Sequence, residues 1–199
     1  MPVTRYIAPA QTCSSTGDPH YILFDGFAMD HQGTGAFYLF DSPQLTIQTF
    51  PATYNQKFSV NKAVAIRYGE SIVVLDVTND HLAPVKTVKA DQNMTGMVIT
   101  AASENCHDHV ITLPCGSSIT LAPRKNELST YVNVHLALSA GYPAASGGLC
   151  NRKNSDNILW KRDGTSVGRD KVDDFANSWK VPDNENLFEI LPAISTLNI

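Results

Sequence analysis

The sequence has little charge of either sign and no long hydrophobic run, and both shortages narrow the range of functions. Charged residues make up 17% of the 199 residues, with 15 Lys and Arg against 19 Asp and Glu, and no basic run stands out. A surface for binding a phosphate backbone is therefore not expected. The apolar runs, such as residues 72–75, are far shorter than the roughly 20 residues that span a bilayer. We expect neither a nucleic-acid partner nor a membrane span in this segment.

Cysteine is also scarce, because the chain has only Cys13, Cys106, Cys115 and Cys150. Four are too few for a disulfide-dense miniprotein, but an even number suits two bridges. There is no C-x-x-C, and eight residues separate Cys106 from Cys115, so the usual zinc patterns are excluded. An oxidised extracellular protein is the leading interpretation, and a reduced intracellular protein is the alternative.

Residues 1–6 lack the apolar stretch of a signal peptide. An extracellular location therefore leads us to expect a segment of a longer secreted or cell-surface precursor.

Alternation of apolar and polar residues dominates the chain and predicts many short strands. In residues 131–138 every even position is aliphatic, which is typical of a strand with one face on a core. Further strands are predicted at 45–50, 71–77, 85–89, 97–100, 109–113 and 118–121. Turn residues separate them. This pattern favours an antiparallel β-sandwich of many short strands over parallel β-α-β units.

A single segment has the spacing of a helix. Val172, Phe175, Ala176 and Trp179 repeat at helical intervals, acidic residues lie near the start, and Pro182 follows. We expect this short C-terminal helix to pack its apolar stripe on the sheet. The chain is predicted to form one domain over 13–188, with extensions at 1–12 and 189–199.

Distinctive motifs occur near both ends of the chain. CSSTGDPHYILFDG (13–26) and GTGAFYL (33–39) open it, and GLC (148–150), DGT (163–165) and FANSWKV (175–181) follow in the second half. In this order they resemble the von Willebrand factor type D domain over nearly the whole chain. One difference is Gly35, which stands where many family members have a cysteine.

The resemblance implies a disulfide pattern and an extracellular role. The first family cysteine commonly pairs with that of G-L-C, which implies a bridge from Cys13 to Cys150. Cys106 and Cys115 flank a predicted strand and are left to pair with each other. The resemblance also implies a non-enzymatic interaction module in adhesion or matrix assembly, whose partners are other extracellular proteins or matrix components.

A calcium site is the second implication of the resemblance. It would involve the Asp of F-D-G and polar groups of the loop after G-L-C. The predicted Ca²⁺ ligands are Asp25, Asn151, Asn154, Asp156 and Asn157. Arg152 and Lys153 would repel a cation, and the alternative is an Asn-rich turn that satisfies its own backbone.

Asp18-Pro19 is a candidate for self-cleavage. An Asp carboxyl can attack its own main-chain carbonyl and expel the proline nitrogen once that nitrogen is protonated, and His20 is suited to donate the proton. Family members with G-D-P-H can cleave this bond in mild acid, so the resemblance extends the reaction to Asp18, Pro19 and His20. The alternative is an ordinary Asp-Pro turn.

Two further features have functional interpretations. The cluster of Cys106, His107 and His109, with Cys115 nearby, could hold zinc in a metal-dependent hydrolase, although four correctly spaced ligands are not evident. A hairpin disulfide explains its cysteines more simply. Asn93 begins an N-x-T pattern, which predicts a glycosylation site if the chain is secreted.

Overall fold

The structure is a computed structural model that describes residues 11–54, 57–89, 96–103, 106–139, 146–152 and 157–190. Within these ranges most elements are strands. They are β1 (Gln11–Thr16), β2 (His20–Ile22), β3 (Ala28–Asp30), β4 (Phe37–Asp41), β5 (Leu45–Tyr54), β6 (Phe58–Tyr68), β7 (Ser71–Asp76), β8 (Lys86–Lys89), β9 (Val98–Ser103), β10 (Cys106–Thr112), β11 (Ser118–Lys125), β12 (Thr130–Leu138), β13 (Ile158–Trp160) and β14 (Ser166–Gly168).

The strands form two large antiparallel sheets and a small hairpin. The first sheet has the order β3-β2-β1-β12-β11-β10-β9, and the second has the order β4-β5-β6-β7-β8. Strands β13 and β14 pair with each other. The predicted antiparallel β-sandwich is confirmed.

The core lies between the two large sheets. Val134 and Leu121 of the first sheet and Val64 and Leu75 of the second belong to one buried apolar cluster. Strand β12 shows how the sequence creates this layer, because its buried and partly exposed positions alternate as the apolar pattern predicts.

The outer face of the second sheet is also covered. Ala65, Ile72 and Val74 form a smaller buried cluster with Leu187, and Phe188 packs against it. Leu187 and Phe188 belong to a 3-10 turn over Leu187–Ile190, which follows a first turn over Asp183–Glu185. This cover explains why β5, β6 and β7 are buried on both faces in much of their length.

The predicted helix is α1, over Val172–Ser178. Phe175 and Ala176 are fully buried, and Trp179 just after the helix is 6% exposed, so the apolar stripe packs into the core as expected. The Trp179 indole donates a hydrogen bond of 3.0 Å to the carbonyl of Trp160, which joins the helix end to β13. No helix in the described ranges is long and apolar enough to cross a membrane.

Candidate functional site

One disulfide bridge connects the two halves of the fold. Cys13 on β1 and Cys150 are bonded, with their Cα atoms 5.6 Å apart, although the two residues are 137 positions apart in sequence. Both side chains are buried. The Cys150 amide donates to the carbonyl of Leu39 on β4, so the bridge ties the first sheet to the edge of the second. The pairing implied by the resemblance is present.

The predicted bridge between Cys106 and Cys115 does not fit the backbone. Cys106 begins β10, opposite Ser103, whereas Cys115 lies in the turn after the other end of that strand. A seven-residue strand is about 20 Å long, and a disulfide needs Cα atoms within roughly 7 Å. Two cysteines that flank a strand lie at its opposite ends, which is the physical reason for the error. The side chain of Cys106 lies outside the described part of the structure.

The Asp18-Pro19 bond lies in the turn between β1 and β2. His20 begins β2 and lies between two carboxylates, with its Nε2 2.9 Å from Asp18 Oδ1 and its Nδ1 2.6 Å from Asp30 Oδ1. The antiparallel register of β2 and β3 places His20 directly opposite Asp30. The three residues therefore form a line of hydrogen bonds that ends at the Asp18 carboxylate, beside the Asp18-Pro19 bond.

The electrostatics of this line favour a charged imidazole. The hydrogen bond to Asp30 is the largest cause that raises the pKa of His20 above its ordinary value, and the charges of Asp30 and Asp18 add to it. Partial loss of solvent acts in the opposite direction. A protonated His20 can donate from both ring nitrogens, which suits its two acidic neighbours.

Two side chains from elsewhere in the fold hold the backbone around Asp18. Gln32 Nε2 donates a hydrogen bond of 3.1 Å to the main-chain oxygen of Asp18. On the other side, the Gly17 amide donates to Asn133 Oδ1 on β12, at 2.9 Å. The peptide group after Asp18 and the peptide group before Gly17 are thus held by groups remote in sequence.

A cleft of about 230 Å³ adjoins this turn. Its walls come from the end of β5, the start of β6, the β11-β12 hairpin and the turn after β1. The residues that line it are Gly17, Asp18, Tyr54, Phe58, Val60, Asn126 and Tyr131. Phe58 is 42% exposed, and Leu128 at the neighbouring hairpin tip is 72% exposed. An aromatic, partly apolar surface therefore lies beside the candidate cleavage site.

Two of the predicted calcium ligands, Asp25 and Asn151, make hydrogen bonds within the protein. Asp25 Oδ2 lies 2.8 Å from the Arg169 guanidinium, and Asp25 Oδ1 accepts the Phe27 amide at 3.0 Å. The buried Asn151 amide donates to the carbonyl of Ile158 and accepts from the Trp160 amide, so it holds β13 in place. Asp25 and Asn151 are thus engaged by groups of the protein itself.

Of the other three predicted calcium ligands, the structure describes only Asn157. Asn157 is exposed and has a left-handed backbone with φ of 68°, which is typical of a turn. Asn154 and Asp156 lie outside the described residues, as does the glycosylation candidate Asn93. Calcium binding and glycosylation therefore stay predictions.

The histidines of β10 lack a third ligand in the described residues. His107 lies near His81, with ring centroids 6.3 Å apart, and partial burial lowers the pKa of His109. No three Cys, His, Asp or Glu side chains come together for a metal ion in the part of the chain that the structure describes. The geometry offers nothing further for the hydrolase alternative.

Comparison with known proteins gives one distant similarity. The chain is 27% identical over 188 residues to human IgGFc-binding protein, and the matched region covers 87% of this chain. The chain spans about 3% of the length of that protein. No family model matches. The type D assignment accordingly stays a resemblance carried by the motifs.

The sequence alone does not identify three residues of the candidate site. Asp30, Gln32 and Asn133 belong to no local motif, and each reaches the Asp18 turn only through strand pairing or a loop crossing. The signal that could identify Asp30 is the register of β2 and β3, but these three-residue strands are too short for an alternating pattern.

Proposed function

We propose that this chain is a self-processing interaction module of an extracellular protein. The buried Cys13–Cys150 bridge supports the extracellular setting, because disulfides persist mainly in oxidising compartments. Within that setting the finer role that we propose is adhesion or matrix assembly, with other extracellular proteins or matrix components as partners.

The main support for the self-processing activity is the position of His20 between Asp18 and Asp30. The reaction needs a carboxylate beside the carbonyl that it attacks and a proton donor for the leaving nitrogen. Asp18 supplies the first within its own residue. His20, hydrogen-bonded to the Asp18 carboxylate, is one residue beyond the proline nitrogen and supplies the second.

The proposed chemistry balances with one water molecule. A carboxylate oxygen of Asp18 attacks the main-chain carbonyl carbon of the same residue, and a five-membered ring forms through a tetrahedral intermediate. The bond to the Pro19 nitrogen then breaks as that nitrogen takes the proton of His20. Water opens the resulting cyclic anhydride, so Asp18 ends with two carboxyl groups and Pro19 becomes a new amino terminus.

Intact-mass measurement tests this reaction. The purified wild-type chain is held in mildly acidic buffer, and fragments ending at Asp18 and beginning at Pro19 are expected after reduction. Asp18→Ala should stay whole because it lacks the attacking carboxylate, and Asp183→Ala serves as the matched control at an exposed, distant site. A wild-type chain that remains whole over days would contradict self-processing.

The aromatic cleft beside Asp18 supports a protein partner as the ligand of the module. Aromatic side chains are enriched in protein interfaces, where they bury large areas at low conformational cost. Phe58 and Tyr131 come from different sheets, so the sandwich itself sets the width of the cleft.

Human immunoglobulin Fc is the first probe for this partner, because the similar human protein is named for binding it. We expect Fc to bind the wild-type chain and Phe58→Ser to weaken binding by roughly tenfold or more. Val98→Ser is the control, since Val98 is 55% exposed on the edge strand β9 and does not line the cleft. Absence of Fc binding would remove immunoglobulin from the proposal, and equal losses in both variants would contradict the cleft.

A further inference from the structure

Gln32 points its amide nitrogen at the oxygen whose charge changes most in the proposed reaction. When the Asp18 carbonyl carbon becomes tetrahedral, its oxygen takes the negative charge. Gln32 Nε2 already donates to this oxygen, at 3.1 Å. A donor in this place stabilises the intermediate more than the ground state, as an oxyanion hole does.

The orientation of the Gln32 amide is fixed by a second residue. Its oxygen accepts the main-chain amide of Ser59 at 2.7 Å and lies 3.3 Å from the Ser59 hydroxyl. Ser59 is buried on β6, in the sheet opposite the cleavage turn. Because the oxygen is held by these donors, the nitrogen must face Asp18.

The turn that carries the Asp18 carbonyl is also anchored to the first sheet. The hydrogen bond between the Gly17 amide and Asn133 fixes the Thr16-Gly17 peptide group, two peptide groups before the Asp18-Pro19 bond, to β12. Gln32 therefore contacts a carbonyl in a turn that is held from a second point. Preorganisation of this kind gives an oxyanion donor its effect, since no reorganisation is needed as the charge develops.

We propose that Gln32 is a catalytic residue of the self-cleavage and supplies the oxyanion donor, while Ser59 and Asp30 act as positioning residues for Gln32 and His20. This inference rests on the proposed self-processing function. It assigns two separate roles, since Gln32 acts on the carbonyl and Asp30 acts on the proton donor.

The test measures the rate of cleavage as a function of pH for variants of similar size. Gln32→Met keeps the length of the side chain and removes the donor, and we expect the rate to fall roughly 10- to 100-fold with an unchanged pH midpoint. Asp30→Asn should instead move the pH midpoint to lower pH, because His20 loses its main stabilising partner. Gln44→Met, the same change at another exposed glutamine, should cleave like the wild type.

A second variant keeps the test independent of general structural damage. Gln32→Lys retains an N–H donor on a long side chain and should cleave faster than Gln32→Met. Thermal unfolding and an intact Cys13–Cys150 bridge establish that each variant is folded. A folded Gln32→Met that cleaves within twofold of the wild type would overturn the role of Gln32 and leave self-processing standing, whereas a wild-type chain that never cleaves would overturn both.

Discussion

At the scale of single residues, the G-L-C motif requires its glycine because the backbone there lies very close to a neighbouring strand. Gly148, in the G-L-C motif, has φ of 118°, and a Cβ atom there would lie 2.5 Å from the main-chain oxygen of Leu39. The segment needs this approach because the amides of Leu149 and Cys150 both donate to β4. Glycine at this position thus allows Cys150 to reach Cys13.

Gly148→Ala should lower the free energy of unfolding by about 3 kcal/mol or more, because strain and a backbone clash act together. Gly164→Ala is the matched control. Its φ of 85° is also left-handed, but nothing lies within 4 Å of the added Cβ, so a loss of about 1 kcal/mol is expected. Denaturant unfolding measures both, and equal losses would contradict the role of Gly148.

The protonation of His20 provides a second test at this scale. Its pKa in the folded chain should lie above the ordinary 6.5, chiefly because of the hydrogen bond to Asp30, and Asp30→Asn should lower it. Since the folded pKa is raised, the stabilisation is complete below the unfolded pKa and is lost as the pH rises through the folded value. The side chains are exposed, so the effect on stability should stay below about 1 kcal/mol.

Titration followed by NMR of the imidazole measures the pKa directly. Asp183→Asn, which removes a carboxylate far from His20, should leave it unchanged. A wild-type value at or below 6.5 would contradict the hydrogen-bond line through His20.

At the scale of elements, the apolar pattern of the sequence predicts strands that bury one face. It does not predict a strand whose polar residues form hydrogen bonds with other strands. Strand β12 alternates clearly and was predicted over nearly its full length. Strand β6 was not predicted, because Asn61 and Lys62 interrupt its apolar pattern. The structure buries Asn61 with a hydrogen bond of 2.8 Å to Ser15, and Lys62 donates to Thr130. Such partners come from other strands, so a local pattern does not contain them.

The residues of the candidate site also differ in whether the sequence alone identifies them. Asp18, Pro19 and His20 could be identified because they are adjacent and carry a recognisable motif. Asp30 and Gln32 could not, since their roles depend on strand register and on a loop that reaches β6. The contact of Asp25 could not be predicted either, because its partner Arg169 is 144 positions away in sequence.

The contact between Arg169 and Asp25 links the end of β14 to the turn before β3. The guanidinium also covers the Phe27 ring, at 4.4 Å from the centroid. Arg169→Ala should therefore lower the free energy of unfolding by about 1–2 kcal/mol. Lys89→Ala, which breaks the exposed pair with Glu70, should lower it less, because solvent screens an exposed ion pair.

Unfolding in excess calcium and in chelator extends this test. Because Arg169 already supplies the positive charge at Asp25, we expect calcium neither to stabilise the wild type through Asp25 nor to rescue Arg169→Ala. A calcium-dependent rise in melting temperature that disappears in Asp25→Ala would contradict this interpretation.

At the scale of the whole molecule, the Cys13–Cys150 bridge closes residues 13–150 into one loop. Chain-entropy arguments assign about 5 kcal/mol to a loop of this length. The Cys13→Ala and Cys150→Ala double variant should therefore unfold with a free energy lower by about 3–5 kcal/mol. Cys115→Ala is the control and should change stability by less than about 1 kcal/mol; equal stability of the double variant and the wild type would contradict the account of the bridge.

The bridge also determines what self-processing does to the molecule. Cleavage after Asp18 separates β1 from the rest of the chain, but β1 pairs with β12 and carries Cys13. Both pieces should remain in one folded particle until the disulfide is reduced. Self-processing would then create a new amino terminus at Pro19 beside the aromatic cleft without releasing a fragment.

The most direct measurement is the intact mass of the wild-type chain after mild acid exposure, taken before and after reduction. Self-cleavage should give an unreduced mass higher by one water molecule, and two chains after reduction, split between Asp18 and Pro19. An unchanged mass in both conditions would contradict the proposed activity.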